Sequence, residues 1–347
     1  MSQARPDNRP DINSAQRPTF WRFTLLLGMT LIVCWFALLS GNIEMTHSQL
    51  WQCLVDECSD PMQQTILHDI RAPRVLLALF AGAGLALCGA LLQTITRNPL
   101  ADPYLFGLMA GAALGATITT LLLPKTTDWF WSLPFGAFVG AIVAVTMVVL
   151  LSVRFGLARI ESLLLSGLAV SFMCSAISTF LLYLADPFAA NRVMFWLMGS
   201  LSRADYSAVW MIAPLLLLCC LLCVVFRRPL AALTLGDDTA RSLGIRLQPL
   251  RVIILLMTAA LTAVIVAYCG GIAFVGLMIP HLVRLWLGIQ PMTLLLGSVF
   301  AGGLFLLLVD TLGRTLFTHQ EIPLGVITSA IGSLFFMMLM FGYYRQR

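Results

Sequence analysis

Arg71-Ala72-Pro73-Arg74 and Arg97-Asn98-Pro99-Leu100-Ala101-Asp102-Pro103 bracket residues 75–96, which are 22 consecutive positions without a charged side chain. A bilayer core of about 30 Å needs roughly 20 apolar residues at the helical rise, so this run is long enough to cross a membrane. Its two arginine-bearing ends then belong on opposite faces. Outward from it, further charge-free intervals occupy 23–43, 103–124, 129–153, 162–185, 206–226, 252–283, 285–309 and 322–344. The 32 residues of 252–283 contain Gly270-Gly271, which divides the interval into two segments more readily than it sits inside one helix. The pattern predicts an all-α polytopic membrane protein with about ten transmembrane helices.

Composition agrees. Hydrophobic residues make up 59% of the chain and charged residues 11%, with a mean hydropathy of +0.91. A soluble domain carries about a quarter of its residues as charges. If ten segments alternate from a cytoplasmic N-terminus, fifteen of the 21 basic residues fall inside, among them Arg22, Arg97, Arg159, Arg241, Arg251 and Arg284. The six left outside are Arg71, Arg74, Lys125, Arg192, Arg203 and Arg314. The positive-inside rule favours this orientation, with both termini cytoplasmic. The expected organisation is a cytoplasmic tail over 1–20, one transmembrane domain over 21–344 containing an inner loop at 227–251, and a cytoplasmic end at 345–347. Residues 1–20 are polar and the first apolar run is span-length, so no cleavable signal is expected. The net charge of +5 follows from the inner-face bias and implies no nucleic-acid partner.

What the chain lacks narrows its function. Its single lysine, Lys125, lies in Leu-Pro-Lys-Thr-Thr, so no G-x-x-x-x-G-K-[ST] phosphate loop exists in it. With interspan segments of only about thirty residues, no soluble domain is long enough to house an active site. No catalytic residue and no cofactor are expected. Ion-coupled secondary transport of a bulky organic solute is the alternative reading, and it calls for ionisable groups near the bilayer centre. Asp310 and Glu161 fall at span ends, and Asp102, Asp186 and Asp205 fall in loops. Energy is therefore expected to arrive through a second polypeptide on the inner face.

The inner loop offers a seat for one. Asp237 and Asp238 start a short helical turn after Gly236, and Gly244 ends it. Ala240 and Leu243, three apart, give the turn a small apolar face. A plain connector would carry the same charges, yet a glycine-flanked amphipathic helix is also what fits a groove in a soluble partner. Cys34, Cys88, Cys174, Cys219, Cys220, Cys223 and Cys269 lie in or at the ends of spans and read as small apolar packing residues. Cys53 and Cys58 lie in the 44–74 outer loop, where a local disulfide is one reading. A metal or haem site with His47 or His68 is another, although nothing fixes its ligand geometry, and no metal site is assigned.

With these residues in place, the chain resembles the FecCD-type permease subunits of ABC importers for ferric siderophores, haem and cobalamin. The resemblance runs from about residue 65 to residue 342. It is carried in order by Arg71–Arg74, Gly89–Gln93, Arg97–Pro103, Gly111–Gly115, Leu235–Gly244, Gly271–His281 with Arg284, Asp310–Arg314 and Glu321–Gly325. It implies a multi-pass subunit of a bacterial inner membrane, a homodimer or closely related pair, two cytoplasmic ATPases and a periplasmic binding protein. By resemblance Arg71, Arg74 and Arg314 receive acidic side chains of the binding protein. The alternative reading of Arg71 and Arg74 is headgroup anchoring of a span. Gly236, Asp237, Ala240, Leu243 and Gly244 map onto the helix that couples to the ATPases. The translocation path falls to 162–185 and a short outer helix near Val193–Leu201, with Ser171, Ser175, Met194 and Met198 as candidates. Ser166, Ser171, Ser175 and Ser178 equally suit close helix packing. His281 reads as a capping or hydrogen-bonded side chain. Gly271 and Leu334 stand where the family often has proline, so the 270–271 break is expected to be looser and the last helix straighter.

Overall fold

The described part of each charge-free interval is mainly helical, because a backbone in lipid has to satisfy its own polar groups. The computed structural model describes residues 12–41, 43, 45–55, 58, 60–122, 129–154, 160–317 and 320–344. The expectations placed on residues 1–11, Lys125, Arg159 and 345–347 lie outside them. In chain order the helices are α1 (Ile12–Leu39), α2 (His47–Leu54), α3 (Pro61–Thr65), α4 (Ala72–Thr96), α5 (Leu108–Leu122), α6 (Trp129–Arg154), α7 (Ile160–Leu184) and α8 (Pro187–Leu197). They continue with α9 (Tyr206–Val225), α10 (Arg227–Thr234), α11 (Asp237–Ser242), α12 (Leu247–Cys269), α13 (Val275–Leu287), α14 (Pro291–Thr315) and α15 (Leu324–Tyr344). No strand occurs among the described residues.

Ten of these helices are the apolar segments read from the sequence, but they are not equal. Eight are long enough to cross a bilayer, while α5 and α13 are shorter. At 1.5 Å per residue the two short helices cover only about 20 Å of a core about 30 Å thick. Both begin inside the bundle. The 97–107 segment folds inward through a 3-10 turn at Pro103–Phe106, where Asp102 accepts the Tyr104 N–H, and α5 starts after Gly107 at φ +75°. The chain leaves α12 at Gly270, φ +70°, and α13 starts five residues later. The two breaks brace each other. The Tyr104 hydroxyl donates to Ile272 O (2.9 Å) and accepts from Ile272 N (3.1 Å). The break at Gly271 is thus tied and closely packed rather than loose, and a Cβ there would lie 2.5 Å from Leu197 O. As expected, α15 runs without interruption past Leu334.

The centre of the bundle is α4, nearly all of whose residues beyond Ala81 are buried. Its alanines and glycines let neighbouring backbones approach, which is how helices pack where no hydrophobic force drives them together. At the tightest crossing a Cβ on Gly89 would lie 1.9 Å from Gly276 O on α13. Backbone cannot yield as a flexible side chain can. Gly89→Ala is expected to lower stability by about 1–3 kcal/mol or more through overpacking. Gly28→Ala, whose Cβ would meet nothing within 4 Å, should melt with the unaltered protein, and thermal unfolding of the purified chain checks the contrast.

Several local boundaries differ from the sequence reading. Helix α1 begins at Ile12, inside the expected 1–20 tail, because an apolar helix once formed extends at little cost into the residues before it. The outer helix placed near Val193–Leu201 runs over Pro187–Leu197 instead, with Pro187 at the first helical position, where its missing N–H costs nothing. The 227–251 loop is two short helices followed by the first turn of α12. The 44–74 segment contains α2 and α3, and Cys53 is disulfide-bonded to Cys58. His47 accepts the Trp35 indole N–H and His68 pairs with Cys53 O, so neither ring converges with the cysteines as a metal ligand. The seven remaining cysteines are free, five of them buried among apolar neighbours.

Candidate functional site

Charged groups at helix ends gather on two opposite faces, in the grouping that alternation of the spans requires. On one face Arg22 donates to Trp286 O at the end of α13, and Arg284 donates to the Gln93 side chain near the end of α4. On the same face α4 ends at Arg97, whose backbone is left-handed at φ 50°, and its guanidinium lies 3.1 Å from Asp237. Arg251 of α12 donates to both oxygens of Asp237 at 3.0 and 2.9 Å. The six-residue α11 is thereby pinned to α4 and α12.

Asp237 is therefore an internal anchor, and Gly236 (φ +117°) and Gly244 (φ +79°) shape the turns on either side. Ala240 is fully buried, whereas Leu243 is 63% exposed. The two do not share a face, because the helix ends at Ser242 and Leu243 has already left helical geometry. α11 and its flanks show Leu235, Asp238, Thr239, Arg241, Ser242, Leu243 and Gly244 to solvent, two of them large and apolar. Leu235 was not singled out in the sequence, since apolarity in a loop carries no signal of exposure.

The opposite face holds Arg71, Arg74 and Arg314 together, each with internal partners. Arg71 donates to Leu38 O, Leu39 O and Ile43 O, and Arg314 donates to Ala37 O and Ser40 O. The Ala37, Leu38 and Leu39 carbonyls belong to the end of α1, where a helix leaves acceptors unsatisfied and carries partial negative charge, and those of Ser40 and Ile43 follow just beyond it. Arg74 spans two carboxylates. It reaches Asp310 at 2.9–3.1 Å through Nε and Nη2, and it forks onto Glu321 through Nη1 and Nη2 at 2.9 Å each. Asp310 is fully buried and also lies 3.5 Å from Arg314, whereas the Glu321 side chain is 46% exposed. The Arg74 hydrogen bonds hold the Glu321 carboxyl below the usual glutamate range. A depressed carboxyl contributes stability above its unfolded value and loses it as pH falls through the folded one, so this latch is intact at neutral pH.

Beside Glu321 lies a cavity of about 1250 Å³, bounded by α8, the 198–203 turn, the end of α12 and the 320–323 segment. Beside it the turn after α8 is tied by backbone to the end of α12 and the start of α15: Ser200 N donates to Cys269 O, Leu324 N to Gly199 O and Gly325 N to Met198 O, all at 2.9 Å. Met198, just after the end of α8, lines the cavity; Met194, within α8, does not, and it is exposed. On α7, Ser171 bonds back to Gly167 O and Ser178 to Thr117 across to α5, which are packing roles. Ser175 lies on the exposed face of α7. His281 meets the Phe335 ring edge-on. No cluster suited to holding a metal ion occurs among the described residues.

A polytopic helical bundle with an anchored helix presented on one face and a large cavity on the other defines a membrane permease. The chain belongs to the FecCD transport family, whose pattern matches residues 29–342, and is a permease subunit of an ABC importer. It is 36% identical over 330 residues to the hemin transport system permease protein HmuU of Yersinia pestis, covering 93% of this chain and 97% of that one. It is 34% identical over 315 residues to the vitamin B12 import system permease protein BtuC of Salmonella typhi, covering 91% and 94%. A solved chain of a metal-chelate type ABC transporter in an inward-facing conformation superposes with a TM-score of 0.81 at 31% identity, over 92% of this chain and 99% of that one.

Proposed function

We propose that this subunit carries a bulky metal chelate, an iron(III)–siderophore, haem or cobalamin, inward across a bacterial inner membrane. It works with a second permease subunit, in a homodimer, with two cytoplasmic ATPases on the α11 face and a periplasmic binding protein on the Arg74 face. Both termini lie in the cytoplasm. The observation that supports this most is the pairing of an anchored, solvent-facing α11 with a cavity on the opposite face. A ligand enters at one end and force is applied at the other.

Within this reading, Asp237 and Ala240 position α11 while Leu235, Asp238 and Leu243 meet the ATPase. Docking of the binding protein at the Arg71, Arg74 and Arg314 cluster goes through Arg74, where an incoming carboxylate displaces Glu321, the exposed acid of the cluster. Arg71 and Arg314 remain committed to α1. Proteoliposomes containing the chain and its partner ATPase should accumulate chelate only with ATP inside and binding protein outside. Uptake that needs no ATPase and follows an imposed ion gradient would overturn the proposal in favour of secondary transport.

A further inference from the structure

We infer that α2 lies in the interfacial layer of the bilayer, with Trp51, Leu54 and Val55 in contact with phospholipid. The placement holds whatever the cargo. Helix α2 has eight residues, and a capping box formed by Thr46 and Gln49 fixes where it starts. Protein covers one side of it. Leu50 and Cys53 are buried against Trp35, Leu38 and Leu39 of α1, in a small core that Met45 and Leu67 complete. The apolar surface is wider than that core. Positions 50 and 54, and beside them 51 and 55, form neighbouring rows at helical spacing, so the surface that begins at buried Leu50 continues through Leu54 to Trp51 and to Val55 at the C-terminal cap. Trp51 is 62% exposed, Leu54 45% and Val55 52%. Ser48, Gln49 and Gln52 take the other side. His47 falls within the apolar arc, where it accepts the Trp35 indole N–H and stacks on that ring. A helix with one broad apolar face suits a membrane surface, where that face sinks about 5–10 Å into the boundary between headgroups and acyl chains.

Lipid is the cover that adjoins the uncovered half. Helix α1 crosses the membrane with only 11% of its span buried by protein, and Phe36 is still exposed in its last turn. Lipid therefore surrounds α1 almost to its end. That end is Leu39, α2 starts at His47, and the Trp51 ring lies 6.5 Å from the Trp35 ring of α1. The exposed face of α2 is thus continuous with the lipid-facing side of a spanning helix, at the depth that tryptophan favours. Electrostatic attraction to anionic headgroups has no part in it, because residues 44–70 contain Glu44, Asp56, Glu57, Asp60 and Asp69 and neither lysine nor arginine. The hold is apolar. Since α2 packs on the turn whose Leu38 and Leu39 carbonyls accept from Arg71, lipid steadies the same end of α1 that the arginine cluster ties.

Fluorine NMR of the full chain, labelled with fluorotryptophan and held in phosphatidylcholine nanodiscs, tests this. The Trp51 resonance is the one missing from Trp51→Phe. A phospholipid carrying a nitroxide near the headgroup end of its acyl chain should abolish that resonance, whereas a water-soluble nitroxide should leave most of its intensity. Added salt should change neither result, because apolar contact is not screened. Leu54→Asp with Val55→Asp, both at exposed positions, should reverse the pattern and lose the Trp51 signal to the aqueous nitroxide. Loss to the aqueous nitroxide alone in the unaltered chain would leave the face in water, open to a protein partner. Protection from both reagents would place a second copy of the chain on it, and loss of the lipid effect in salt would make the hold electrostatic. Each of these three results overturns the inference. If the Asp variant melts early, the two responses of the unaltered chain decide alone.

Discussion

Asp310→Ala is expected to cost the folded protein about 3–5 kcal/mol, the usual effect of removing one partner from a buried ion pair. Asp310 is fully buried, and it faces two guanidiniums that are themselves nearly inaccessible. Without it, Arg74 keeps only the half-exposed Glu321 and Arg314 keeps only the α1 carbonyls. Two like charges then share a site that water does not reach. Glu321→Gln should cost far less, about 1 kcal/mol or below, because that pair is partly solvated. The double change Arg74→Met with Asp310→Leu should recover part of the loss, since removing both charges avoids the stranded one. Thermal unfolding of the purified protein in detergent separates the three variants. An Asp310→Ala protein that melts with the unaltered chain would show that the cluster is not what fastens α1 to α4 and α14.

The same cluster shows what a sequence can and cannot disclose. Runs without charge locate spans because lipid excludes charge locally, and arginines mark span ends for the same reason. That Arg22, Arg97, Arg251 and Arg284 group at one end of the bundle and Arg71, Arg74 and Arg314 at the other was therefore legible. What each guanidinium does there was not, because its partners lie up to 277 residues away, as Ala37 O does from Arg314. Hydropathy was equally silent on α5 and α13. Intervals 103–124 and 252–283 are apolar throughout, whether the backbone is helical or broken, and the break at Ile272 is stabilised by a tyrosine 168 residues earlier. Gly270-Gly271 marked where α12 ends but not how deep. Arg192 and Arg203 were visible only as charges counted toward topology; for Arg192 the helical spacing to Phe188 and Phe195 was the available signal of a cavity wall, and for Arg203, in the turn after α8, there was none. At α11 the glycine-flanked turn was legible and its orientation was not, since three-residue spacing places side chains on one face only while the chain stays helical.

Asp237→Ala is expected to reduce uptake at least tenfold while leaving ATPase association largely in place. Helix α11 has six residues and no side-chain cap, so its own hydrogen bonds fix its direction poorly. What fixes it is Asp237, bonded to a nearly buried Arg251 and to the more exposed Arg97. A charge-assisted hydrogen bond contributes about 1.5–3 kcal/mol, so losing the Arg251 tie lowers the population of correctly aimed α11 by roughly tenfold to a hundredfold. ATPase closure would then move α11 without moving α4 and α12. Arg97→Ala should have a milder effect, because an exposed pair contributes little. Leu243→Asp should act differently from both. It alters the exposed surface and should reduce co-purification of the ATPase, whereas Asp237→Ala should reduce the amount of chelate moved per ATP hydrolysed. Unchanged transport per ATP in Asp237→Ala, or loss of ATPase binding as complete as in Leu243→Asp, would show that Asp237 is not the link between this helix and the spans.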